Sequence, residues 1–296
     1  LLASRPEARV AVVPHHLDLG TDVDREDAGA DPAAAQLAAR RRLGLPADGF
    51  LVGTFGYQNR SKRLDSLLAA FAVLRDRHPE ARLAVVGGVD PKLGLEEGSL
   101  EAGDGVDLVG RVDDLDRFLD WMRAVDVAVN LRWPSGGETS GTVIRLLGLG
   151  KPLVVTDAGS FAEIPAGCAA RVPADESERE RLAALLVAFA DDPVLARDLG
   201  DAGRDFAHTA HAPQVSAAGY ARFLAAVAAE PSPPRRPVPP LAPWPEDDLY
   251  TALVATAATA AADLGVEAAD EEVLAPLAAA FVDLGLDTVG DGGGER

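Results

Sequence analysis

Residues 130–165 read NLRWPSGGETSGTVIRLLGLGKPLVVTDAGSFAEIP. An apolar run gives way at Asn130 to a turn crowded with Gly, Ser and Thr, in which Glu138 is the one carboxylate. A short helical segment follows over 142–149. Then come Gly150-Lys151-Pro152, a second apolar run, and another small-residue turn carrying Asp157, Ser160 and Glu163. Two buried strands that both end in small-residue turns place those turns on the same edge of a parallel sheet. In such sheets ligands sit in the crevice beyond the carboxyl ends of the strands.

Outward from this stretch the same alternation continues. Apolar runs rich in β-branched residues occupy 10–14, 50–55, 82–87, 106–109, 125–131, 152–156 and 169–172. Between them, 33–43, 64–77, 115–124, 142–149, 178–190 and 193–208 carry apolar residues at helical spacing. Near-continuous apolar strands alternating with amphipathic helices predict an α/β fold. Its core is a doubly wound, Rossmann-like parallel sheet covered on both faces. This domain is expected over 1–227. Residues 228–246 include PSPPRRPVPPLAPWP, with eight prolines in fifteen residues, which no helix or central strand tolerates, so a linker is expected there. A small helical appendage is expected over 247–288, as helices at 247–264 and 271–284. The tail 289–296 is disordered by composition.

Composition narrows the function. The chain has 296 residues, 28 Lys+Arg against 47 Asp+Glu, and a formal net charge of −19. Nucleic-acid binding calls for clustered positive charge, so it is not expected. A phosphate site must be a local basic pocket in an acidic molecule. The lone cysteine, Cys168, allows no internal disulfide and suits a reducing compartment. No segment offers the apolar length of a membrane span. The expected location is cytoplasmic, free or peripheral at the inner membrane face.

Two clusters carry the candidate site. In GTFGYQNRSKRLDSLLAAF (53–71) a strand ends at Gly56, and Lys62 and Arg63 lie at the start of the next helix. A glycine at a strand exit admits a ligand to the backbone, and a cation beyond it can neutralise phosphate. Lys62 and Arg63 also suit a solvated loop. In PSGGETSGTVIRLLGLG (134–150), Thr139, Ser140 and Thr142 are natural first-turn residues for a helix whose free N–H groups attract a pyrophosphate. A carboxylate repels phosphate, so Glu138 fits sugar hydroxyls beside it; helix capping is the alternative. No metal-ligand spacing and no nucleophile–base pair at a recognisable spacing appear.

Taken in order, VVPHHLD (12–18), GTFGYQNRSKRLDSLLAAF (53–71), LAVVGGVD (83–90), VDLVGRVDDLDRFLDWMRAVDVAVNLRWP (106–134) and GETSGTVIRLLGLGKPLVVTDAGSFAEIP (137–165) resemble one known domain. It is the C-terminal, nucleotide-sugar-binding domain of family 4 (group 1) GT-B glycosyltransferases. The resemblance runs over about residues 8–225. It implies retaining transfer of a sugar from a nucleotide-diphosphate donor, with no cofactor and no metal. It also implies that Lys62 binds the donor diphosphate, that Gly141 and Thr142 offer backbone to the phosphates, and that Val112 borders the base. Glu138 falls on the first glutamate of the family's Glu-x7-Glu motif, which implies a catalytic contact to the donor sugar. Ser140, at the start of the same helix, belongs with the donor-binding set.

Two departures stand out. The arginine that commonly follows the strand-end glycine Gly56 is here Tyr57, which leaves Arg60 or Arg63 as substitutes. The second glutamate is absent; alignment on Gly150-Lys151-Pro152-Leu153 puts Arg145 in its place. The acceptor-binding N-terminal GT-B domain is expected to be missing from this chain, and the acceptor is left open as glycan, lipid or small molecule. A binding module without catalysis, or another GT-B enzyme such as a nucleotide-sugar epimerase, also fits these residues.

Overall fold

The computed structural model describes residues 9–20, 31–94, 105–229, 255–259, 270–271, 274–276 and 278–279. The chain divides into two compact units, Val13–Arg222 and a second made of Leu1–Val12 with Phe223–Arg296. In the second unit residues 255–259 are helical, within the expected 247–264 helix. The proline-rich linker, most of the expected helical pair and the tail lie outside the described residues. Among the described residues no helix is long and apolar enough to cross a membrane.

The first unit is a two-faced parallel sheet. In chain order it runs α1 (Pro32–Leu43), β1 (Leu51–Phe55), α2 (Leu64–Arg77), β2 (Arg82–Val86) and β3 (Val106–Gly110). After these come α3 (Leu115–Ala124), β4 (Val127–Asn130), α4 (Gly141–Gly148), β5 (Leu153–Thr156), β6 (Ala170–Val172), α5 (Glu178–Asp191) and α6 (Pro193–Ala210). A final helix, α7 (Pro213–Ala228), runs on from this unit.

The strands are all parallel in the order β3-β2-β1-β4-β5-β6, with register such as Phe55 beside Val86 and Asn130 beside Val155. Successive side chains point to opposite faces. Leu51 and Phe55 of β1, Ala84 and Val86 of β2, and Leu153 and Val155 of β5 therefore enter one core, with Leu119 and Met122 of α3 and Leu146 of α4. Val52, Leu83, Val85 and Val154 enter the other, with Leu67, Phe71 and Leu74 of α2 and Leu182 and Leu186 of α5. This double burial is why the strands read as unbroken apolar runs rather than as alternating ones.

The strand order reverses between β1 and β4, whose carboxyl ends therefore diverge into connections on opposite sides. That divergence opens a crevice at the switch point.

Two expectations need correction. Residues 10–14 form no strand. Val12 is 95% exposed, and the chain that follows is tied to the helical side of the domain. Leu17 N donates to His211 O at 2.7 Å and Ser216 Oγ donates to Pro14 O at 2.6 Å, so no sheet edge receives this segment. Helix α7 was not anticipated. It begins, as helices often do, with a proline in its first turn.

Candidate functional site

The β1 exit is fixed before any ligand is considered. Gly56 N donates to Val86 O at 2.9 Å and Gln58 N to Gly88 O at 2.8 Å, which holds the turn against the β2 exit. Gly87, at φ +143°, makes that approach possible: a Cβ there would sit 2.1 Å from Gly56 O. Beyond Gly56 a short 3-10 turn, Arg60–Lys62, is capped by the Asn59 side chain, which accepts from Ser61 N at 3.1 Å. Trp133 N then donates to Ser61 O at 2.7 Å, joining this turn to the β4 exit.

That junction places Lys62. Its Nζ donates to Asn130 Oδ1 at 2.6 Å. Asn130 closes β4, is fully buried, and has no partner for its own Nδ2. Burial pushes the Lys62 ammonium down to about 8, the nearby Arg132 guanidinium adds to that, and Glu138 acts against it.

Arg132 stands two residues past the end of β4. Its backbone N donates to Thr156 Oγ1 at the end of β5 (2.8 Å), and its guanidinium carbon lies 5.9 Å from the centre of the Phe161 ring. Its Nη1 forms an ion pair with Glu138 Oε1. Glu138 is otherwise exposed, and its backbone O accepts from Ser160 Oγ at 2.8 Å. Its carboxyl is held below the usual range, first by its own backbone N–H and then by Arg132. The turn of Gly159 packs on the glycine-rich loop, since a Cβ there would lie 2.7 Å from Ser135 Oγ. The turns after β4 and β5 therefore meet, with the β1 exit beside them.

Helix α4 starts at the same place. A Cβ on Gly56 would come within 4.0 Å of Thr142 Oγ1, so the first turn of α4 faces the β1 exit. The hydroxyl of Ser140 is directed inward as the N-cap, accepting from Val143 N at 3.4 Å, so of the α4 start only the backbone of Gly141 and Thr142 and the Thr142 hydroxyl are left for a ligand. Tyr57 is more than half exposed, its ring against Gly88. Val112, beyond β3, is half-buried against the core.

Two of the candidate cations are engaged in other contacts. Arg63 adopts a left-handed backbone, φ 54° and ψ 38°, which turns its side chain toward α5. There its Nε and Nη2 donate to Glu178 Oε1 at 3.0 and 2.8 Å, and Glu178 is 1% exposed. Arg63 thus ties α2 to α5. Arg145 donates to Asp18 O (2.9 Å) and Oδ2 (3.2 Å), while its Nη1 stays within 3.5 Å of the Cβ position of Gly141. His15 Nε2 lies 3.6 Å from that same point. Arg132, Asn130 and His15 were not singled out from sequence, although the strand-exit rule that led to Glu138 also covers Asn130 and Arg132.

Two cavities, of about 350 and 370 Å³, open at the opposite end of the sheet. They are lined by residues at the amino ends of β1, β2, β4 and β5, including Leu51, Arg82, Asp126 and Pro152. At the carboxyl ends Lys62, Arg132 and Glu138 come together beside the start of α4.

Comparison with known proteins bears on the family and the fold. The family model described as Glycosyl transferases group 1 matches residues 48–192. Residues 48–192 form a group 1 GT-B glycosyltransferase domain. The chain is 34% identical over 182 residues to D-inositol 3-phosphate glycosyltransferase of Streptomyces avermitilis, a match covering 58% of this chain and 39% of that protein. The chain thus spans about two fifths of that relative's length. Among solved structures, sucrose-phosphate synthase of Thermosynechococcus elongatus matches at a TM-score of 0.54 and 26% identity, over 65% of this chain and 49% of that one. Anabaena HepE in complex with UDP-glucose shares the fold at a TM-score of 0.55 and 19% identity, over 67% of this chain and 54% of its own. Every site residue described above from Gly56 to Ser160 falls inside the matched span of the group 1 domain.

Proposed function

We propose that this chain is the donor-binding half of a retaining glycosyltransferase that takes a nucleotide-diphosphate sugar. The observation that carries the reading is the meeting of Lys62, Arg132 and Glu138 at the β1/β4 switch point, beside the start of α4. In this reading Lys62 and the N–H groups of Gly141 and Thr142 hold the diphosphate, and no metal is needed to neutralise it. Glu138, already among hydrogen-bond donors, accepts from hydroxyls of the transferred sugar. Val112 and the β3 exit border the base. HepE, with the same fold, holds UDP-glucose, which supports a nucleotide-sugar donor.

Transfer requires an acceptor held in line with the donor, and proximity of that kind supplies about 7–11 kcal/mol of barrier reduction. An N-terminal GT-B domain is the expected source of the acceptor site. The test is calorimetric titration of the chain with UDP and UDP-glucose, and with other nucleotide sugars, followed by a transfer assay. Binding with little or no transfer is expected. Robust transfer by the chain alone overturns the half-enzyme reading, and failure to bind any nucleotide or nucleotide sugar overturns the donor site. Binding that persists without transfer when an acceptor domain is supplied favours a non-catalytic module, to which the Arg145–Asp18 pair at the second motif position already lends weight.

A further inference from the structure

The site holds one more cation than the family pattern assigned to it. Where an arginine commonly follows the strand-end glycine, this chain has Tyr57, an exposed aromatic that cannot neutralise an anion. Arg63 is bound to Glu178 and cannot replace it without leaving a buried carboxylate unpaired. Arg132 is different. Its side chain is only 17% exposed, yet Glu138, its one charged partner among the described residues, is half exposed at the mouth of the crevice. Its Nε is buried with no hydrogen-bond partner.

We propose that Arg132 is a ligand of the donor diphosphate, supplying from the β4 exit the guanidinium that the β1 exit lacks at Tyr57. This inference rests on the donor-site reading above. Lys62 and Arg132 flank Asn130 in a chain whose formal charge is −19, and Arg132 raises the cost of keeping Lys62 charged. Two like charges held together against one exposed carboxylate are balanced when a multiply charged anion lies between them. A guanidinium suits that role because its planar fork donates in parallel to two phosphate oxygens. Phe161 beneath it and Thr156 at its backbone hold the fork at the β4–β5 edge. On this account Glu138 is the partner of Arg132 before the donor arrives. When phosphate takes the guanidinium, the carboxylate is released to the sugar hydroxyls, so one exchange readies both contacts.

The test uses the full 296-residue chain, titrated with UDP, GDP and ADP, with the tightest of the three serving as probe. Arg132→Gln should weaken that nucleotide about tenfold or more, as loss of a charge-assisted phosphate contact does. Arg132→Lys, which keeps the charge without the fork, should fall between, and it keeps the question answerable if the Gln variant melts early. The double variant Arg132→Gln/Glu138→Gln decides between binding and mere neutralisation. If Arg132 grips phosphate, the double variant stays weak. Recovery to the wild-type affinity means that Arg132 only offsets Glu138, and the inference falls. If Lys62→Ala weakens the nucleotide while Arg132→Gln does not, this inference fails alone. A wild-type chain that binds none of the three overturns the donor-site reading, and this one with it.

Discussion

Replacing Lys62 with methionine separates a lysine kept for binding from one kept for the fold. The side chain keeps its length and loses its charge. Burial carries the ammonium from 10.5 to about 8, which at about 1.36 kcal/mol per pH unit makes holding the charge cost about 3 kcal/mol. The substitution also takes the donor from Asn130 Oδ1, and a buried acceptor left unsatisfied costs about 1–2 kcal/mol. The net expectation at neutral pH is a gain of about 1 kcal/mol, or a rise in Tm of about 2–4 °C for a domain of this size.

The sign follows from linkage. The folded-state value lies below the unfolded one, so the folded chain holds fewer protons between pH 8 and 10.5. The penalty is full below pH 8 and is relieved as pH rises toward 10.5, so the advantage of the variant should shrink over that window. Binding should move the opposite way. A diphosphate favours the charged lysine, so wild-type affinity should be level below pH 8 and decline above it, while the variant is about ten- to a hundredfold weaker and shows no such decline. Urea denaturation and calorimetry between pH 6.5 and 9.5 read both quantities. A variant that loses 2 kcal/mol or more of stability with unchanged affinity would refute the reasoning.

Three further outcomes follow from the same contacts. Glu138→Gln should weaken the nucleotide sugar about tenfold while leaving the bare nucleoside diphosphate level or slightly tighter; parallel losses in calorimetry would make Glu138 structural. Arg63→Ala strands the Glu178 carboxylate in the α2–α5 layer and should cost about 3–5 kcal/mol in chemical denaturation. Under conditions where that variant stays folded, nucleotide affinity should hold, and a loss as large as that of Lys62→Ala would return Arg63 to the site. Gly87→Ala must relieve a 2.1 Å clash with Gly56 O at φ +143°, so the β1 exit shifts and nucleotide affinity falls with stability; a variant indistinguishable from wild type in melting and titration would contradict the described packing.

The sheet was legible because its signal is local. Central strands such as LVGTF and LVVT are buried on both faces, and a helix such as 64–77 shows its apolar stripe within a few turns. The strand-exit rule likewise brought Lys62, Thr142 and Glu138 to one edge, because the side of a parallel sheet on which a turn lies follows from the direction of the chain alone. The segment 10–14 misled because VAVV has the composition of a strand; whether it pairs depends on a free sheet edge, and Val10 and Val12 are in solvent.

What the sequence determined by itself was therefore the alternation, the two small-residue turns and the kinds of side chain they carry. Which of two adjacent cations turns toward the switch-point crevice was decided only in three dimensions. Lys62 reaches Asn130, 68 residues away, and Arg63 reaches Glu178, 115 residues away. The division comes from one left-handed backbone at Arg63 and from a buried carboxylate that required a partner. Arg132 gained its place in the same way, from a ring on the next loop and a strand end beside it. Such partnerships depend on distance and burial, which a linear order of residues does not contain.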